Sequence, residues 1–178
     1  MKILNLYYSE TGNTEKIALQ IENTVNQLGH LITTSKATSD QEIALLDYDF
    51  IFLGSGVYMW QPAKPMIDFL HNARKHFAAL GNILPCSPRL PGKKAVIYCT
   101  FGGGHTGINE AMPVVKFCGQ LFDHLGFTIL DEWYIVGEFK TDDFKKMNIG
   151  GRLGDITGRP DERDLNEITQ RVRGILHV

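Results

Sequence analysis

At 178 residues, 43% hydrophobic and 21% charged, the chain has the size and composition of one globular domain, residues 1–178, with a filled core. A formal net charge of −2 and a pI near 6.3 give no global electrostatic reason to expect nucleic acid or an anionic membrane as partner. Cys86, Cys99 and Cys118 form neither an even set nor a C-x-x-C pair, which argues against a disulfide framework, a zinc site or an iron–sulfur cluster and reads as reduced thiols of a cytoplasmic protein.

The first run, Lys2 to Tyr8, is short, rich in strand formers and closed by Ser9 and Gly12; it reads as a buried strand. The opening residues meet polar groups too soon for a secretory h-region, and no later run approaches about 18 apolar residues, so neither a signal peptide nor a membrane span is expected. Ile17, Ile21, Val25 and Leu28 recur at helical steps from Asn13 to Leu28, with Gly29 as the stop. His30 to Ser35 predicts a second strand and Tyr48 to Leu53 a third, closed by Gly54, Ser55 and Gly56; a helix follows Pro62 and Pro65 with Met66, Phe69, Leu70 and Ala73 inward. Pro85, Pro88 and Pro91 make Gly81 to Gly92 a surface connection. Lys94 to Thr100 is the fourth strand, Ile108 to Leu125 a helix with Pro113 near its first turn, and Phe127 to Phe139 contains the fifth strand. Asp161 caps a last amphipathic helix to Leu176. The stretch Lys140 to Pro160, with Gly150, Gly151, Gly154 and Gly158 and no clear period, is longer than the usual connection, and such loops are often functional.

Five strands alternating with helices imply a doubly wound parallel α/β sheet of order 2-1-3-4-5 with helices on both faces. Its switch point lies between the first and third strands, and ligands bind there outside the carboxyl ends of the strands.

The turn at that edge, Ser9-Glu10-Thr11-Gly12-Asn13-Thr14, opens a helix. Unpaired N–H groups and the positive end of the helix dipole favour a phosphate there, and Ser9, Thr11, Asn13 and Thr14 can add donors. With no lysine it is not a triphosphate-binding Walker A loop, and a monophosphate suits it better; the bland alternative is a helix cap. The spacing S-x-T-G-N-T resembles the phosphate loop of the flavodoxin family. Likewise GSGVYMWQPAKPMIDFL looks like that family's GSPVYxGxPxKxMxxFL, with Gly56 where proline is common.

The resemblance covers nearly the whole chain and implies non-covalently bound flavin mononucleotide (FMN). Ser9 to Thr14 then hold the phosphate. The loop Ser55, Gly56, Val57, Tyr58, Met59 and Trp60 meets the isoalloxazine ring, Tyr58 or Trp60 offering an apolar face. Thr100, Phe101, Gly102, Gly103, Gly104 and His105 close over it. The G-x-G-x-x-G of Gly102 to Gly107 is not read as a dinucleotide fingerprint, because it follows the fourth strand and no acidic residue ends the next one. His105 is a proton donor, a flavin contact or a plain turn residue, and no residue is assigned to catalysis. Arg152, Arg159 and Arg163 read as solvated or ion-paired, with an anion or nicotinamide role the lesser reading. A Gly-containing turn at Ser55-Gly56-Val57 could flip a carbonyl toward reduced N5 and favour one-electron steps.

The function implied is a one-electron carrier, monomer or homodimer, serving a redox partner protein or a small-molecule acceptor. The near-balanced charge keeps open a flavin-dependent NAD(P)H:quinone or flavin reductase, and a flavin-free binding module is a third alternative.

Overall fold

The computed structural model describes residues 1–176. β1 (Lys2–Tyr8) leads by a short turn into α1 (Asn13–Gln27), followed by β2 (Leu31–Lys36), β3 (Phe50–Tyr58), the two-residue β4 (Gln61–Pro62) and α2 (Lys64–Ala79). After a long irregular connection come β5 (Lys94–Phe101), a 3-10 turn at Gly107–Glu110, α3 (Met112–His124), β6 (Thr128–Val136), the one-turn α4 (Met147–Gly150) and α5 (Glu162–Leu176). The sheet runs β2-β1-β3-β5-β6, every pair parallel. β4 pairs only with the end of β3, antiparallel, so the five long strands follow the 2-1-3-4-5 order that the sequence predicts.

A parallel sheet is buried on both faces, and alternate residues of β3 show both cores. Phe50 and Phe52 pack with Ile17, Ile21 and Val25 of α1 and with Ile168 and Val172 of α5. Ile51 and Leu53 pack with Met66 and Phe69 of α2 and with Val115, Cys118 and Phe122 of α3. Burying each of the large α1 side chains contributes about 1.5–3 kcal/mol. α1 stops where expected: Gly29 takes a left-handed conformation (φ 77°), and the His30 N–H donates to the Val25 carbonyl at 3.3 Å. At the start of α5, Asp161 Oδ1 accepts from the Arg163 and Asp164 N–H groups, and Asp164 Oδ2 accepts from the Asp161 N–H, a reciprocal capping box. Arg159 is ion-paired with Asp164.

The structure departs from the sequence reading along β3. Gly54, Ser55 and Gly56, which look like the end of a strand, are strand residues paired with β1 and β5. Gly54 is a packing residue: a Cβ there would lie 2.1 Å from the Tyr98 ring, whose hydroxyl donates to Asn5 Oδ1 at 3.0 Å inside the core. A second departure precedes α3, where Gly107–Glu110 is a 3-10 turn rather than its first helical turn. The Lys140 to Pro160 stretch is also less free than its composition implies. Buried Asn148 brackets it, accepting from the Phe139 N–H at 2.7 Å, donating to the Phe139 carbonyl at 3.0 Å and receiving the Ile156 N–H on its own carbonyl. No helix among the described residues is long and apolar enough to cross a membrane.

Candidate functional site

The carboxyl ends of β1, β3 and β5 lie side by side, Tyr8 in register with Ser55 and Gly56 with Thr100. The residues assigned to a ligand from sequence lie on these strand ends, on the loops that leave them and on the first turn of α1. In the first, Gly12 adopts a left-handed conformation (φ 94°) and precedes α1 with no side-chain cap. Glycine reaches this conformation without the Cβ clash other residues meet. The Gly12 N–H donates to Ser9 Oγ at 3.1 Å. Among the described residues, the N–H groups of Thr11, Asn13, Thr14 and Glu15 find no protein acceptor. They cluster at the positive end of a 15-residue helix, where an anion is favoured.

The side chains of this loop mostly serve the protein. Asn13 Nδ2 donates to the Glu138 carbonyl at 2.9 Å, and the Thr14 and Thr100 hydroxyls lie 2.7 Å apart in the interior. One hydrogen bond between two hydroxyls leaves one O–H to give. Glu15 Oε1 accepts from the Tyr7 hydroxyl at 2.9 Å; burial first, and then this carboxylate, push the Tyr7 phenol up to about 12. Thr11 and Glu10 are exposed. The donors facing outward are thus chiefly backbone amides and the Thr11 hydroxyl, a set that fits a phosphate monoester.

β3 and β4 form a hairpin whose two tip residues, Met59 (φ 48°) and Trp60 (φ 65°), are both left-handed, as a tight two-residue hairpin turn demands. The two residues are 84% and 61% exposed. At the hairpin's base the Tyr58 ring folds back over Gly56, where a Cβ would stand 2.9 Å from it. The Tyr58 hydroxyl accepts the Glu10 N–H at 3.3 Å, joining this loop to the first, and burial raises its pKa. The departure from the family pattern at Gly56 therefore has a physical reason, since the ring occupies the space of a larger residue. Ser55 is fully buried, its hydroxyl donating to the Gly56 carbonyl at 2.9 Å and accepting the Ala63 N–H at 3.2 Å. Val57 is half-buried, in register with Pro62.

Thr100 and Phe101 end β5 inside the protein. Beyond them, the Phe139 ring would meet a Cβ on Gly102 at 2.3 Å, and the Met147 sulfur one on Gly104 at 2.7 Å. Gly103 turns with φ 55° against Leu153. The glycines accommodate the 138–153 segment, a partner that sequence reading left out because Phe139, Met147 and Leu153 carry no motif. His105 is exposed and its side chain has no hydrogen-bond partner among the described residues. Cys99 and Cys118 are buried, which holds both thiols well above their usual range. A separate hollow of about 440 Å³ lined by Asp40, Glu42, Asn72 and His76 shares no residue with these loops.

Residues 4–99 match the flavodoxin domain family, and no curated protein sequence matches the chain. Its structure is similar to that of oxidised Flavodoxin 2 from Bacillus cereus, with 20% identity, 99% of each chain covered and a TM-score of 0.69. The Streptococcus pneumoniae TIGR4 flavodoxin gives 17% identity, 99% of each chain and a TM-score of 0.68. A candidate quinone reductase from Klebsiella pneumoniae gives 13% identity over 98% of this chain and 85% of the other, with a TM-score of 0.66. At such identities the likeness establishes the fold, and the family match covers more than half of the sequence. The chain belongs to the flavodoxin domain family.

Proposed function

We propose that the chain binds FMN non-covalently at the carboxyl edge of β1, β3 and β5 and carries electrons through it in one-electron steps. The observation that carries this reading is the uncapped start of α1, where Thr11, Asn13, Thr14 and Glu15 offer unclaimed N–H groups beside left-handed Gly12. A phosphate dianion takes such donors without displacing any protein partner. In this reading Ser9, Glu10, Thr11, Gly12, Asn13 and Thr14 hold the phosphate. Ser55 to Trp60 lie on one side of the ring, with Tyr58 or Trp60 offering it an apolar face, and Thr100 to His105 lie on the other. The flavin supplies the redox chemistry; the chain binds it, orients it and excludes water around it.

The test is a paired titration of flavin-free protein with FMN and riboflavin. We expect FMN to bind at least about 100-fold more tightly, since several charge-assisted N–H bonds go only to the phosphate. Equal affinities would overturn the phosphate assignment.

A second reading, an FMN-dependent NAD(P)H:quinone or flavin reductase, draws support from the near-balanced charge of −2 and from the Phe139–Phe144 ring pair, 5.8 Å apart, which the 138–153 segment brings beside the glycine-rich loop. Rapid bleaching of the bound flavin by NADPH with no separate reductase would favour it over the carrier. Residues 1–178 act in either case as one domain, and the buried free thiols of Cys99 and Cys118 suit the cytoplasm.

A further inference from the structure

The glycine-rich loop after β5 is anchored by a carboxylate that neither reading uses. Glu110 Oε1 accepts the His105 N–H at 2.7 Å and the Thr106 N–H at 2.6 Å. Glu110 closes the Gly107–Glu110 turn, is half-buried, and forms no salt bridge among the described residues. Two further bonds fix the same loop. The Gly107 N–H donates to the Gly103 carbonyl at 3.1 Å, and the Gly104 carbonyl accepts the Arg152 N–H at 3.0 Å.

These bonds divide the loop's amides into two sets. The N–H groups of His105, Thr106 and Gly107 are used within the protein, whereas those of Gly102, Gly103 and Gly104 meet no protein acceptor among the described residues. A run of three glycines loses more backbone entropy on ordering than other residues do. A loop ordered beforehand spares a ligand that cost. A carboxylate suits the task, because charge-assisted bonds are short and strong.

We propose that Glu110 is a positioning residue. By taking the His105 and Thr106 amides it holds the loop in the one form that leaves the Gly102, Gly103 and Gly104 amides open to the acceptor edge of a flavin ring. The flavin half rests on the FMN reading above; the ordering of the loop does not.

The experiment compares wild type, Glu110→Ala and Glu110→Gln, each first without flavin and then titrated with FMN. In flavin-free protein the His105 and Thr106 amides exchange slowly in the wild type, at least about tenfold faster in Glu110→Ala, and within about threefold of wild type in Glu110→Gln, whose amide oxygen still accepts. FMN binding weakens about tenfold in Glu110→Ala and is restored to within about threefold by Glu110→Gln. Circular dichroism of each variant checks that the fold is kept; if the Ala variant does not fold, Glu110→Gln is read against wild type, and amide exchange or FMN affinity more than about threefold away from wild type overturns the proposal. Wild-type exchange in Glu110→Ala, wild-type FMN affinity in Glu110→Ala, or a Gln variant that fails to rescue a folded Ala variant would each overturn the proposal. Should the amides behave as stated while even the wild type takes up no FMN, the cofactor reading falls and takes the flavin half with it.

Discussion

Thr14 and Thr100 stand 86 positions apart in the chain, yet their buried hydroxyls lie 2.7 Å from one another, tying the first turn of α1 to the last strand residues of β5. The loop expected to hold a phosphate and the loop expected to cover a ring are thus parts of one rigid edge. Thr14→Val or Thr100→Val alone strands a buried hydroxyl and should lower stability by about 1–3 kcal/mol. The double variant should cost less than the sum of the two. Denaturant unfolding of the four flavin-free proteins measures this, and strict additivity would show that the two hydroxyls do not act on each other.

The left-handed pair at Met59 and Trp60 is costly for residues with large side chains, about 1–3 kcal/mol each. Asn and Gly adopt this turn readily. Met59→Asn with Trp60→Gly should therefore stabilise the flavin-free protein by about 1–2 kcal/mol while weakening FMN binding. Thermal unfolding and flavin titration report the two effects separately. A variant that is both more stable and an equally good FMN binder would deny the exposed indole a role at the ring.

Gly54 faces the Tyr98 ring across the β3–β5 ladder with no room for a methyl group. Gly54→Ala should cost about 1–3 kcal/mol through overpacking, and should also disturb the Asn5–Tyr98 hydrogen bond beneath it. Unfolding free energies check the first part, and exchange of the core amides of β1 and β5 the second. Wild-type stability would mean that the ring moves aside freely.

Much of this edge is legible in the sequence, and the limits have physical causes. The helical spacing of Ile17, Ile21 and Val25 and the unbroken apolar run Phe50 to Leu53 report directly on burial, so the elements and their order follow from them. Gly12 is legible as a residue of the ligand-facing turn, because a glycine between a strand and a helix lets the chain pass close to a ligand, while its left-handed conformation emerges only in three dimensions. Gly54 misleads: a glycine required by a ring across the sheet looks the same in one dimension as a glycine that ends a strand. The partners of Asn13, Thr14 and the glycine-rich loop are hidden for a related reason. Glu138, Thr100, Phe139 and Met147 reach them through tertiary contacts, and Asn148, which orders the late segment, is one asparagine in a stretch of turn formers.

Acid should loosen that late segment first. The Lys140 ammonium and then the Gly158 N–H hold the Glu138 carboxyl below its ordinary range, and the Asp164 N–H does so for Asp161. A carboxyl depressed in the folded state adds stability above its unfolded pKa, near 4, and loses it as pH falls through the lower folded value. Exchange at Gly158 and Asp164 should thus be steady from neutral pH to about pH 5 and speed up relative to the core below about pH 4. A loss that begins above pH 6 would implicate a histidine and contradict this assignment. Glu138→Gln should remove the Gly158 part of the response.

The most direct test of the central claim is the visible spectrum of FMN-loaded protein during stepwise reduction. The expected result is a coloured protein with about one FMN per chain, whose spectra at half-reduction are not a weighted sum of the oxidised and fully reduced ones. A protein that stays colourless in excess FMN would contradict the cofactor assignment, and spectra that interpolate between the two end states at every point would contradict the one-electron carrier.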